Sequence, residues 1–215
     1  MANKFMQNCR KPEGLGGKLM LAGMNVGHAD VSVWGLSRLR IPGNARVLDI
    51  GCGGGANIKR LLAMCPQGHV EGIDHSQQSV VVSRKKNRAD LGKRCEIRQG
   101  SVSALPYGDG AFDAVTAFET IYFWPDIAGD FREVHRVLKP GGSFLICNEA
   151  CDPADETWTG KIDGMRVYGR EELFRLFADA GLSVTLADEQ GKGRLCVIAV
   201  KKTTLGAHAG GDTRM

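Results

Sequence analysis

The residues best suited to chemistry in this chain are acids set around a glycine run. Asp49 lies two residues before the first glycine of Gly51-Cys52-Gly53-Gly54-Gly55, and Asp74 closes the later run VEGID. A carboxylate at the first position would oppose a pyrophosphate across the turn, whereas it suits a cationic or zwitterionic ligand. An acid at the second position can accept two hydroxyl donors at once, a strong paired contact. Further along, FETIYFWPD carries Glu119, Tyr122 and Trp124, and SFLICNE ends at Glu149. His28 and Asn25 belong to an N-terminal stretch rich in Met and Gly. These groups could remove a proton or orient a small molecule.

The elements that must hold them follow from periodicity. Val47, Leu48 and Ile50 form an apolar run suited to a strand covered on both faces. After Gly55 the apolar spacing becomes Ile58, Leu61, Leu62, which is helical. Strand, glycine turn and helix open a nucleotide-type site in a doubly wound α/β sheet, whose ligands lie beyond the carboxyl ends of the strands. Gly51, Gly53 and Ala56 formally satisfy G-x-G-x-x-G/A, with Asp74 at the distance of a ribose acid, so a nicotinamide dinucleotide is one reading. The glycine spacing Gly51, Gly53, Gly55 after an acid points elsewhere.

That acid-x-Gly-x-Gly-x-Gly turn resembles the first motif of the class I methyltransferases that use S-adenosylmethionine. Further motifs follow in the family's order: VEGID with His75 and Ser76, then CEIRQGSVSALPY, FDAVTAF, HRVLKPGG and SFLICNE, from roughly Ala45 to Cys151. The resemblance implies S-adenosyl-L-methionine as cofactor and S-adenosyl-L-homocysteine as its product. It implies that Asp49 and the backbone of Gly51, Cys52, Gly53 and Gly55 hold the cofactor's amino acid end. Asp74, followed by His75 and Ser76, would hold the ribose, and Gly100, Ser101 and Val102 the adenine. Ser101 stands where the family has an acid, a departure that a hydroxyl acceptor can partly replace. Phe118 and Glu119, where the fourth strand ends, complete the cofactor set. His28, Glu119 and Tyr122 are the candidate catalytic residues, and no metal is expected.

The implied architecture is α/β: a doubly wound, mostly parallel seven-stranded sheet whose last strand is antiparallel. Residues 1–42 are expected to form an N-terminal helical cap, with one helix across Gly17–Leu39 placing Met20, Met24, His28 and Val31 on a stripe. Residues 43–202 form the cofactor-binding domain, and residues 203–215 a disordered tail. A chain of 215 residues, 43% hydrophobic, is long enough for one good core. Its N-terminus lacks the apolar centre of a signal peptide, and no apolar run reaches membrane-span length, so a cytoplasmic location is expected. The seven cysteines include no C-x-x-C pair and read as scattered reduced thiols.

The charge of +4 gathers most densely in SRKKNR, Ser83 to Arg88, with Arg94 beyond. On a helix these charges fall on several faces, so a nucleic-acid partner is not expected. The Asn-Pro-Pro-aromatic tetrapeptide of amino-directed DNA methyltransferases is absent. The expected partner is a small-molecule methyl acceptor, its identity and the oligomeric state left open. Two other readings stand beside it: a nicotinamide oxidoreductase, and a non-catalytic cofactor-binding scaffold.

Overall fold

The computed structural model describes residues 6–203 except residue 192, and omits the side chains of Leu15, Lys18, Ala22, Asn25 and Val26. The expected tail from residue 204 onward and the Asn25 side chain therefore lie outside the described residues. Strands β1 (Arg46–Ile50), β2 (His69–Asp74), β3 (Cys95–Gln99), β4 (Phe112–Phe118), β5 (Leu138–Asn148), β6 (Leu182–Gln190) and β7 (Arg194–Lys201) form one sheet in the order β3-β2-β1-β4-β5-β7-β6. The pairs β1–β2, β1–β4, β2–β3 and β4–β5 are parallel, and β7 runs antiparallel to both β5 and β6. The order reverses between β1 and β4. A crevice opens there beyond the strand ends, where open α/β sheets bind ligands.

Alternation along β1 divides its side chains between two cores. Val47 joins Ile58, Leu61 and Val70 on one face, and Leu48 and Ile50 join Phe112, Phe131 and Phe144 on the other. The first face is covered by α2 (Ala29–Arg38), α3 (Ala56–Met64) and α4 (Gln77–Lys86), the second by α5 (Ile127–Val137) and α6 (Arg170–Asp179). Phe131, Phe144 and Phe177 are fully buried and meet one another edge-on or tilted, with Trp124 stacked on Phe144. Each such ring contributes roughly 1.5–3 kcal/mol through burial. Among the described residues no helix is long and apolar enough to cross a membrane.

The N-terminal segment departs from the expected single helix. It splits into α1 (Gly14–Gly27) and α2, with His28 between them at φ −95°, ψ 13°. The amides of His28 and Ser32 still donate to the Met24 and His28 carbonyls across this junction, and none of Met20, Met24, His28 and Val31 is exposed. Nor is α2 part of a separate cap. Its Val31, Leu36 and Leu39 belong to the first core, and a Cβ on Gly35 would lie 2.8 Å from the Cys147 sulfur. The 3-10 turn Met6–Cys9 and α1 lie outside the sandwich layers, with α1 against α4. The basic run is partly spoken for by the domain itself. Arg84 donates to the Ile97 carbonyl, and Arg94 donates to the carbonyls of Leu62, Cys65 and Pro66 at the end of α3, where a cation offsets the helix dipole.

Candidate active site

The glycine turn is pinned from below. The amides of Gly51 and Cys52 donate to the Ile73 carbonyl, at 2.8 and 3.1 Å. Gly51, Gly53 and Gly55 all have positive φ, which glycine adopts without strain. Their surroundings differ. A Cβ on Gly51 would collide with Thr120 at 2.2 Å, and one on Gly55 with Ser83 at 2.3 Å, whereas one on Gly53 meets nothing closer than 3.9 Å. Two of the three glycines are thus required by the protein's own packing, and Gly53 alone opens onto free space.

Asp74 organises the next strand end. Its carboxylate accepts from the amides of Gly53 at 2.9 Å and Ser76 at 2.8 Å and from the Ser79 hydroxyl, three of about four acceptor sites. Burial raises its pKa, opposed by those amides. Asp49 lies 2% exposed behind the turn and accepts the Thr116 hydroxyl at 2.7 Å. Desolvation pushes it up to about 7, against the Thr116 bond, and the Asp74 charge adds to the rise. Burial and the charges of Asp74 and Asp49 hold the Cys52 thiol protonated, so it is no nucleophile.

A cleft of about 320 Å³ covers these strand ends. Of the residues singled out in the sequence, His28, Gly51, Cys52, Gly53, Asp74, His75, Gly100, Ser101, Val102, Phe118 and Glu119 line it. Four others are set behind its wall. Asp49 sits under the turn, and Gly55 packs on α4. Ser76 caps α4 through Ser79 and donates to the Pro12 carbonyl at 2.8 Å. Tyr122 is 4% exposed and braces other groups. Ser101, in place of the family's acid, accepts from Ser103 at 3.2 Å and starts a 3-10 turn, Val102–Ala104. Sequence reasoning missed Cys9, Arg10, Ser32, Asn57, Arg60 and Thr120, which also line the cleft. Thr120 follows Glu119 directly, but no periodicity marked the others.

At the ends of β4 and β5 the chemistry changes. Glu119 adopts φ 55°, the only described non-glycine residue with positive φ, a strain of roughly 1–3 kcal/mol held by its surroundings. Its backbone amide donates to the Cys147 carbonyl at 3.1 Å, and its carboxylate accepts from the Glu149 amide and, at 3.3 Å, from the Tyr122 hydroxyl. The same hydroxyl accepts the Ala150 amide at 3.1 Å. Burial pushes the Glu119 carboxyl up to about 8, with the Glu149 charge adding to the rise. Burial keeps the Tyr122 phenol protonated and lowers the His28 pKa, leaving its imidazole neutral. Glu149 pairs with Arg194 at 2.6 Å.

A parallel sheet with one antiparallel strand between β5 and β6, a glycine turn after β1 and an acid ending β2 define a Rossmann-like protein of the methyltransferase type. The three-then-one strand reversal with inserted β7 differs from the all-parallel 3-2-1-4-5-6 order of dinucleotide domains. Residues 48–146 match the family described as "Methyltransferase domain". Over 122 residues the chain is 36% identical to a demethylmenaquinone methyltransferase of Listeria welshimeri, covering 56% of this chain and 51% of that one. It is 32% identical over 132 residues to a cycloartenol-C-24-methyltransferase of Arabidopsis thaliana, covering 59% and 39%. The chain thus spans about half the length, or less, of these curated relatives. In fold it resembles the putative methyltransferase of Haloferax volcanii solved with the Trm112 methyltransferase activator, at TM-score 0.78 and 22% identity over 86% of this chain and 93% of that one. It also resembles a SAM-dependent methyltransferase from Aquifex aeolicus, at TM-score 0.67 and 24% identity over 79% and 89%. Residues 48–146 are thus similar to a methyltransferase domain, and the fold is that of the class I methyltransferases whose motifs the sequence resembled.

Proposed function

We propose that this protein methylates a small-molecule acceptor, with S-adenosyl-L-methionine as methyl donor and S-adenosyl-L-homocysteine as product. The observation that carries the reading is the cleft at the β1/β4 reversal, where an acid with a spare acceptor site faces a glycine that leaves room for a ligand. Asp74 would take a ribose hydroxyl, and the peptide of Gly53 would lie against the cofactor's amino acid end. Asp49, one layer behind, would favour the cofactor's ammonium through its charge rather than by contact. Val102 and Ser101 would flank the adenine, and Phe118 would pack beside the sulfonium, where an aromatic face is favourable. When bound, the cofactor supplies an electrophilic methyl group: the acceptor's lone pair forms the new bond as the sulfur–methyl bond breaks.

The chain's own task is then alignment and exclusion of water, which can lower a barrier by several kcal/mol, up to about 7–11 in the best cases. His28 and Glu119 would stand on the acceptor side, with Tyr122 fixing the Glu119 carboxylate. An acceptor that arrives protonated needs one of them, and a thiolate or neutral amine does not. A cytoplasmic location belongs to the same proposal. Titration calorimetry with S-adenosylhomocysteine tests it: the wild type should bind and Asp74→Ala should lose most of that affinity. No heat from the wild type, or equal binding by the variant, would sink the reading. Consumption of methyl donor in the presence of pooled metabolites separates an enzyme from a non-catalytic scaffold.

A further inference from the structure

The acceptor end contains a constellation that methyl transfer does not require. His28 at the α1–α2 break, Glu119 at the end of β4 and Glu149 just past β5 each offer one ligand atom, all within 4.8 Å of one another. They come from three separate places in the fold, so their convergence is a product of tertiary structure and not of local sequence. Each has capacity to spare. The His28 imidazole makes no hydrogen bond among the described residues. Glu149 gives one oxygen to Arg194 and keeps the other, and the oxygens of Glu119 each accept a single bond. A cation that takes the place of the Glu119 proton would lie between two carboxylates, with the Arg194 guanidinium paired to Glu149.

We infer that His28, Glu119 and Glu149 form a binding site for a divalent first-row cation, Zn2+ or Mn2+, at the acceptor end of the cleft. One imidazole and two carboxylates are a ligand set that both ions accept. Drawing the three ligand atoms onto a sphere of about 2.0–2.2 Å radius needs side-chain shifts of under about 1 Å. Three protein ligands leave at least one coordination position open, as catalytic sites do. His28 and Glu119 line the cleft, so a cation held there would adjoin the space assigned to the methyl acceptor, and the inference rests on the methyltransferase reading for its purpose. It then narrows the acceptor to an oxygen compound. A hydroxyl bound there loses its proton to solvent more readily, because the cation stabilises the alkoxide or phenolate left behind. The methylated ether carries no charge and binds the cation weakly, which favours its departure.

Metal binding can be measured without cofactor or turnover. The full chain, stripped with chelator, should take up one equivalent of Mn2+ by electron paramagnetic resonance and one of Zn2+ by calorimetry. Glu149→Gln and His28→Ala should each weaken that uptake tenfold or more, while S-adenosylhomocysteine still binds to Glu149→Gln and reports its fold. In the wild type, Mn2+ should broaden the His28 imidazole resonances before those of His69 or His135, a readout that needs no variant. No uptake by the wild type, unchanged uptake by both variants, or broadening that spares His28 would each overturn the site. Uptake with this dependence but without cofactor binding would uphold the cation site and remove the methyltransferase reading instead.

Discussion

Asp49 is a buried carboxylate whose one hydrogen-bond partner is the Thr116 hydroxyl, and its behaviour follows from that. Folding raises its pKa from 3.8 to about 7. Across that interval the folded protein holds a proton that the unfolded chain releases. The contribution of this group to stability therefore falls as pH rises through the window and levels off above it. A cationic ligand reverses the preference, because it favours the ionised acid. Affinity for S-adenosylhomocysteine should rise from pH 6 towards pH 8 by about tenfold, the ratio of the ionised fractions one unit above and one unit below a pKa of about 7. Asp49→Asn should flatten the curve, stabilise the unliganded protein near pH 8 and weaken binding there. Calorimetry at the two pH values decides it: equal wild-type affinities would mean that Asp49 does not sense the ligand. Tyr122 makes a different prediction. Its hydroxyl joins Glu119 to the Ala150 amide, so Tyr122→Phe leaves a partly buried donor unpaired, at a cost of about 1 kcal/mol in thermal or denaturant unfolding. An unchanged melting curve would show that water replaces the phenol. The identity of both residues was legible in the sequence. That Asp49 stands behind the cleft and Tyr122 behind Glu119 was not, because depth depends on how the strands stack.

At the scale of elements, the glycine turn offers a separation that the sequence alone could not make. The spacing announced backbone close to a ligand, yet side chains added at Gly51 and Gly55 would strike Thr120 and Ser83 first. Gly55→Ala should therefore destabilise the fold, through overpacking of about 1–3 kcal/mol and through a positive φ costing about 1–2 kcal/mol more. Gly53→Ala has room for its methyl group, so its stability cost should be confined to the backbone term while affinity for S-adenosylhomocysteine drops. Melting temperature and calorimetry on the two variants should diverge in that sense; parallel losses would reject the distinction. Strands β1 to β7 and helix α6 were readable because apolar period and glycine boundaries agreed locally. The helix break at His28 was not readable, since α1 and α2 share an unbroken helical pattern and the interruption is confined to one residue. The cation ligands were equally hidden: His28, Glu119 and Glu149 are far apart in sequence and meet only once the sheet is assembled.

Considered as a whole, the molecule closes its cleft with a segment that its cores do not need. Among the described residues, the chain ahead of α1 is tied to elements on both of its sides. Ser76 donates to the Pro12 carbonyl at the start of α4, and the Gln7 side-chain amide donates to the Lys161 carbonyl, at 3.2 Å, and accepts from the Asp163 amide, at 3.1 Å, in the loop after β5. One short segment thus ties α4 to the loop between β5 and α6, across the mouth of the cleft. Hydrogen bonds of this kind contribute about 0.5–1.5 kcal/mol each, enough to favour a closed arrangement without locking it. Cofactor bound against Asp74 and Leu21 would add contacts on the α4 side and shift the population further towards closure. S-adenosylhomocysteine should accordingly slow amide exchange in α1 and around Gln7 while leaving β4 and β5 as they were. Removal of residues 1–13 should lower the melting temperature little, because both cores remain, yet weaken S-adenosylhomocysteine by about tenfold, equivalent to about 1.4 kcal/mol. Gln7→Ala, which cuts only the tie to the loop after β5, should speed proteolysis near Lys161 with a smaller loss of affinity. If the truncated chain binds as tightly as the full one, the segment is a passive cover and closure has no part in holding the cofactor.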